Sequence, residues 1–213
     1  MLSETPRTRH RRVRENGRTD AEDLYGVLAA GLVAHLGLVV DGHPLVVPTV
    51  YGFDREQIFL HGSVASRSLT AGTEVCVTVT VLDGLVLARS VFEHGVNYRS
   101  AMIFGLPRRV TDPGELDYGL RVLTEHVAPG QWDYARRPSR KELAATVLLA
   151  VPLTEASVKV SASPPDDGEG PDAALGRWAG RLPVVATWGT PVPDPLLAPG
   201  VEAPPHIAER AGR

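Results

Sequence analysis

Ile58-Phe59-Leu60-His61-Gly62-Ser63-Val64-Ala65-Ser66-Arg67-Ser68-Leu69 opens as an apolar strand, meets a glycine, and runs through small hydroxyl residues to a lone arginine. The spacing predicts a strand that breaks at Gly62 and turns into a short helix near Ala65. In that geometry the free N–H groups of the first helical turn point the same way as Ser63, Ser66, Arg67 and Ser68. Backbone donors, hydroxyls and one guanidinium able to grip two oxygens are the chemistry of a phosphate pocket. The same residues also fit an ordinary strand-to-helix turn capped by serine. The flanking segments decide between the two.

Upstream, Thr19-Asp20-Ala21-Glu22 reads as a capping box starting a helix to about Ala30, with Leu24, Val27 and Leu28 on one face and Gly31 as the stop. VAHLGLVV (33–40) and HPLVVPTVYGF (43–53) are strands around an Asp41-Gly42 hairpin turn. Pro44 and Pro48 cannot donate to a ladder, so the second strand is expected at an edge or with irregularities. A turn at Asp54-Arg55 leads into Ile58. Downstream, EVCVTVTVLD and LVLARSVF are expected as a hairpin around Asp83-Gly84, HGVNYRS as a break, and SAMIFGLPRRV as a further strand. Short turns between consecutive strands argue for a closed or nearly closed antiparallel barrel. The fold class is mainly β with helices (α+β). PGELDYGLRVLTEHV and SRKELAAT, the latter capped by Ser139 with Glu142, supply helices; TVLLAVPLTEASVKV is expected as one long last strand.

At 213 residues there is room for one well-buried domain with appendages. Three segments are expected: a flexible arginine-rich arm over 1–18, a barrel domain over 19–195 and an extended Pro-rich tail over 196–213. A formal charge of -3 gives no overall pull toward nucleic acid or an anionic membrane. Arg7, Arg9, Arg11, Arg12, Arg14 and Arg18 crowd the start, but no aromatic residue is interleaved, so a solvated tail is expected. Cys76 is the single cysteine, which removes disulfides and cysteine zinc sites. The start lacks an apolar h-region and no apolar run can span a bilayer, so a cytoplasmic protein is expected.

The helix, the PTVYG hairpin, the FLHGSVASRSL turn, VCVTVTVLDGLVLARS, NYRS-x-x-x-FG and the late W-A-G-x-L-P stand in an order similar to the pyridoxamine 5'-phosphate oxidase-like superfamily. The resemblance is to its flavin-nucleotide-binding subgroup, which includes the nitroimidazole-resistance proteins. It implies a split β-barrel homodimer with FMN at the dimer interface. It further implies that Ser66 and Arg67, with Ser63, hold the FMN phosphate. The oxidase has a lysine at the next position, where this chain has Ser68, one cation fewer. Pro48, Thr49, Val50 and Tyr51 would run along the isoalloxazine ring. Tyr98, Arg99 and Ser100 would reach the partner's cofactor, although Arg99 equally suits an interface salt bridge. Trp178 and Arg181 resemble the substrate-side pair of the oxidase; a core or interface tryptophan is the competing reading. The implied activity is oxidoreduction of a small molecule by hydride transfer, with a reduced nicotinamide as a candidate donor. Pyridoxamine phosphate itself is not expected as substrate, because basic residues for a second phosphate are not evident.

His61 ends its strand beside the turn, where the nitroimidazole-resistance branch also has a histidine. It is the candidate catalytic residue: an imidazole there can bond the flavin, shuttle a proton, ligate haem iron, or simply bond a rim carbonyl. A haem protein of the same fold with His61 or His94 as axial ligand is the alternative, and a flavin carrier without turnover a third. His35 is expected to face outward or to be satisfied in the core, and His126 to lie at the surface of its helix. Neither the histidine spacing nor the carboxylates suggest a metal site or an acid–base pair, and G-x-S-x-G and Walker patterns are absent.

Overall fold

The structure, a computed structural model, describes residues 2–63 and 72–212. Ser66, Arg67 and Ser68, with the predicted turn into a helix, lie outside the described residues.

Helix α1 (Ala21–Ala30) is capped by Asp20, whose side chain accepts from the Glu22 amide, one residue later than the Thr19 capping box predicts. It buries Leu24, Val27 and Leu28 and ends at Gly31. Strands β2 (Val33–Val40) and β3 (His43–Phe53) then pair from Val33–Val50 to Val40–His43. Asp41 and Gly42 both take positive φ, 51° and 80°, the twist that a two-residue hairpin needs. The Asp54 carboxylate closes the next turn by accepting from the amides of Glu56 and Gln57. It delivers the chain into β4 (Gln57–Ser63), which continues past the expected break: Gly62 and Ser63 still pair with Val147 and Thr146.

Three further expectations are corrected. Asp83-Gly84 is not a hairpin: Val75–Leu87 is a single strand, β5, with a register shift between Leu82 and Gly84 against β6 (Gly95–Gly105). The extra residue is a β-bulge. Gly84 is required there because a Cβ would lie 2.7 Å from the Leu182 carbonyl oxygen of a strand paired alongside. NYRS is not a break but lies within β6. TVLLAVPLTEASVKV is not one strand: after the two-residue β7 (Arg108–Arg109) and the helices α2 (Pro113–Val127), α3 (Gln131–Tyr134) and α4 (Arg140–Ala144), it divides into β8 (Thr146–Pro152) and β9 (Ala156–Ser161). The corner between them is held by the Leu153 amide on Glu56 O and the Phe104 amide on Glu155 O. Ser139 and Glu142 form the predicted capping box of α4.

With β1 (Gly17–Arg18), the strands follow the order β1-β9-β6-β5-β2-β3-β4-β8-β7, and β10 (Gly180–Pro183) adds to β5. Every pairing is antiparallel. The interior is filled by Leu24 and Leu28 of α1 with Leu36, Tyr51, Ile58, Leu60, Val77, Val79, Ile103 and Val158. A second cluster of Phe59, Val110, Leu148 and Ala150 lies outside the wall, beneath Leu116 and Leu120 of α2. This is a split β-barrel with flanking helices.

Residues 2–18 lie against β9. The Arg7 guanidinium bridges Glu155 and Glu74, Thr5 Oγ1 donates to Glu155, and the Leu2 amide donates to Thr19 O. At the other end, short α5 (Pro205–Ala208) docks on α3: His206 meets Gln131 Oε1 at 2.9 Å, and Arg210 donates to Val127 O while lying over Trp188. No helix among the described residues is long and apolar enough to cross a membrane.

Candidate functional site

Strand β3 belongs to both halves of the barrel. Residues 43–50 pair with β2, whereas Tyr51, Gly52 and Phe53 pair with Leu60, Phe59 and Ile58 of β4. Continuing that register would join Val50 to His61, Thr49 to Gly62 and Pro48 to Ser63, but the β3–β4 ladder stops at Tyr51–Leu60. Residues 48–50 stay with β2, and 61–63 stay with β8. Among the described residues the wall therefore opens along a seam whose two lips are Pro48–Val50 and His61–Ser63. The edge position that the two prolines predict is found, because residues 43–50 have a neighbouring strand on one side only among the described residues.

His61 sits on the lip that α2 covers: it is opposite Leu148, and alternation places it on the face of Phe59. It is half-buried, and its Nδ1 is the one buried side-chain nitrogen or oxygen without a hydrogen-bond partner among the described residues. A buried polar atom left unmet carries a desolvation penalty, so such an atom at an opening invites a ligand. Burial also holds the imidazole below its ordinary pKa, so it is neutral at neutral pH and able to accept a proton or a bond.

Tyr51 faces the other way. It is fully buried, with its hydroxyl 2.7 Å from Leu28 O and 2.9 Å from Gly31 O, so one proton serves two carbonyls. Burial pushes its phenol well above the ordinary value. His126, expected near the surface, packs at 4.6 Å between ring centroids on Tyr51. Its Nε2 lies 2.9 Å from Gly31 O; a carbonyl only accepts, so Nε2 carries the proton. Leu123, one turn earlier on α2, is already buried, and that helical spacing was the signal for placing His126 inward. Pro48 is exposed, while Thr49 and Val50 are half-buried.

Tyr98, Arg99 and Ser100 do not meet the seam within one chain. They lie on β6, separated from β3 by β5 and β2. Arg99 is committed to the bulge residue Asp83 through its Nε and Nη2, at 2.9 to 3.2 Å, and this bridge raises its pKa. Lys159, which sequence reasoning passed over, pairs with Ser100 and places its ammonium 5.2 Å from the Tyr98 ring. The alternation of ASVKVS was the signal: Ala156 and Val158 are buried, so Lys159 shares the opposite face. His94 accepts from the Ala88 amide through Nδ1, next to a 3-10 turn on which Phe92 is 90% exposed. Trp178 is 69% exposed, and Arg181 pairs along β5 opposite Val86. Among the described residues no group of three or more His, Cys, Asp or Glu side chains could hold a metal ion.

The chain belongs to the pyridoxamine 5'-phosphate oxidase family, whose model matches residues 20–160. It is similar over 98% of its length, and 98% of the other chain, to the flavocytochrome Anf3 from Azotobacter vinelandii (34% identity, TM-score 0.91). It is similar over 92% of its length to an FAD and haem binding protein from Mycobacterium smegmatis, covering 98% of that chain (38% identity, TM-score 0.87). A 5-nitroimidazole antibiotic resistance protein from Bacteroides thetaiotaomicron shares the fold over 68% of this chain and 86% of its own (20% identity, TM-score 0.57). No curated protein sequence matches.

Proposed function

We propose that the chain binds a flavin along the barrel seam and works as a redox protein, an oxidoreductase acting on a small molecule. The observation that carries this reading is the unmet Nδ1 of His61 on one lip of an opening whose other lip is a proline-broken strand edge. Two full-length relatives at 34% and 38% identity, one called a flavocytochrome and the other an FAD and haem binding protein, support it. The residues fit the group. Among the described residues no strand covers Pro48–Val50 on the β4 side, so the Pro48 carbonyl and the Val50 amide are placed to bond the polar edge of a flavin ring, while the Val50 carbonyl already accepts from Thr49 Oγ1. His61 supplies a neutral imidazole, and Ser63 precedes Ser66 and Arg67 in sequence. A bound flavin supplies two-electron hydride chemistry; the protein supplies orientation and the electrostatics around it. His61, neutral at rest, can take up or return a proton beside the ring.

Because Tyr98–Ser100 lie away from the seam, we propose that they serve the site of a second copy across a homodimer interface. Arg99 must then exchange Asp83 for the cofactor or remain a structural bridge. FMN is the flavin that the family resemblance proposes, whereas FAD is the flavin named for the M. smegmatis relative. A reduced nicotinamide is the proposed donor.

Haem is the second reading, favoured by the same imidazole: Nδ1 of His61 is free to ligate iron, and His94 has Nδ1 occupied but Nε2 without a hydrogen bond among the described residues. A visible spectrum of the protein as purified, followed by release and identification of the chromophore, tests both. Twin flavin bands and released FMN or FAD are expected. A Soret band that disappears in His61→Ala would assign the haem, and a colourless chain that takes up neither cofactor would overturn the proposal.

A further inference from the structure

The N-terminal arm encloses a cavity that the seam does not use. It measures about 310 Å³, lies between the arm and β9, and is lined by Leu2, Glu4, Arg9, His10, Arg14 and Arg18, among others. An adjoining recess of about 450 Å³ shares Arg9 and Arg14 and adds Arg11. Three guanidiniums therefore line the first cavity against one carboxylate, and that carboxylate is already bound to Arg9 Nε at 2.8 Å. Arg14 has no ion-pair partner among the described residues. Arg18 is held by backbone carbonyls, its Nη1 donating to Glu15 O and Gly17 O, which positions the charge without neutralising it.

The walls are fixed in place. Gly17 and Arg18 pair with Lys159 and Val158 of β9, and the Arg7–Glu155 bridge pins the start of the arm. At Gly17 a Cβ would lie 2.5 Å from the His10 ring, so only glycine lets His10 reach Ser157, whose Oγ is 3.1 Å from its Nε2. Between Arg12 and Arg14, Val13 adopts φ 48° and ψ 58°, a left-handed conformation unfavourable for a β-branched residue. That reversal delivers Arg14 to the cavity wall. Leu2 adds an apolar side chain beside the cations.

We propose that this cavity binds a small organic phosphate ester. Two uncompensated guanidiniums match a dianion and can each grip two oxygens, while Leu2 takes the carbon part of the ester. In the sheet the site is separated from the seam strand β3 by β6, β5 and β2, so it is independent of the flavin reading.

The test is calorimetric titration of the full-length protein, carrying whatever cofactor it purifies with, using inorganic phosphate and AMP as probes. Saturable binding is expected, one site per chain and tighter for AMP, weakening as salt rises. Arg14→Ala should raise the Kd at least about tenfold, the effect of removing one charge-assisted contact pair. Arg14→Lys, which keeps the charge but loses the fork, should fall between. Arg12→Ala is the control: it makes the same charge change on the same arm but lines neither recess. No saturable binding of either probe up to about 10 mM would overturn the proposal, since that is weaker than any specific site of this kind. So would an Arg12→Ala loss equal to that of Arg14→Ala, which would mean diffuse attraction to a basic arm.

Discussion

Val50 and His61 occupy the register position just beyond the last rung of the β3–β4 ladder, Tyr51–Leu60, and they do not pair. The separation begins where β3 continues along β2 and β4 along β8, so each lip has a strand holding it back. A flavin bound here, as proposed, would meet backbone from one half of the barrel and an imidazole from the other.

His61→Ala should leave the fold intact and empty the opening of its one imidazole. The expected outcome is a fall in bound chromophore at purification, with a thermal midpoint within a few degrees of the parent. Retention of full cofactor with an unchanged spectrum would remove His61 from the site.

Tyr51→Phe separates the core role of this residue from a cofactor role. Its hydroxyl serves Leu28 O and Gly31 O, so the loss should be about 1–2 kcal/mol in urea denaturation. Cofactor content should not change, because the side chain is buried in the barrel interior.

Arg99 and Asp83 should respond in opposite directions. Each is about a third exposed, so their coupling in a double-mutant cycle is expected below about 1 kcal/mol. If Arg99 serves the cofactor of a second copy, Asp83→Asn releases it and holds or strengthens flavin retention, while Arg99→Ala weakens it. Equal retention in both variants would leave the bridge purely structural.

Acid should destabilise the protein through two histidines. Burial lowers the pKa of both His61 and His126 from 6.5, so the unfolded chain binds more protons below that pH. Their contribution to stability is complete above about pH 6.5, the unfolded value, and is lost as pH falls through the folded values. For His126 the bond to Gly31 O works against the shift, so desolvation sets the sign. Thermal midpoints measured from neutral pH downward should fall, and the slope should flatten in His126→Gln.

Gly119→Ala should loosen helix α2. A Cβ there would lie 2.5 Å from Leu148 Cδ2 and 2.9 Å from Phe59 Cδ1, so the helix must lift from the wall at about 1–3 kcal/mol. Lower thermal stability is expected, with a disturbed His61 environment because Leu148 is its register partner.

Much of this architecture was legible in local patterns. The Asp41-Gly42 turn, the stop at Gly31 and the capping box at Ser139 depend on neighbouring residues alone, and each was readable. The errors arose where distant chain decides. Asp83-Gly84 has the composition of a hairpin, yet the pair sits in a bulge because β6 runs alongside both halves and β10 pairs with β5 from Gly84 onward. The division of β8 from β9 depends on contacts with Glu56 and Phe104, far away in sequence. Of the candidate site, the proline-broken edge of Pro48–Val50 and the apolar strand leading to His61 were readable separately, although β4 runs past the break expected at Gly62. Their opposition across a seam was not, since it depends on where one ladder stops. Arg99 was readable as a cation but not as a partner of Asp83, which needed the bulge. The Ser66–Arg67 turn lies outside the described residues.

Pro44 and Pro48 have a further consequence, which concerns what the opening does not do. A strand edge of this length, carrying Leu45 and Val46 at 39% and 61% exposure, is a template on which another chain can add by β-pairing. Each proline removes one N–H from that template, so no uninterrupted ladder can grow along it. The interruption that would leave room for the proposed flavin also guards the edge against β-pairing with another chain, and replacing both prolines is expected to raise aggregation.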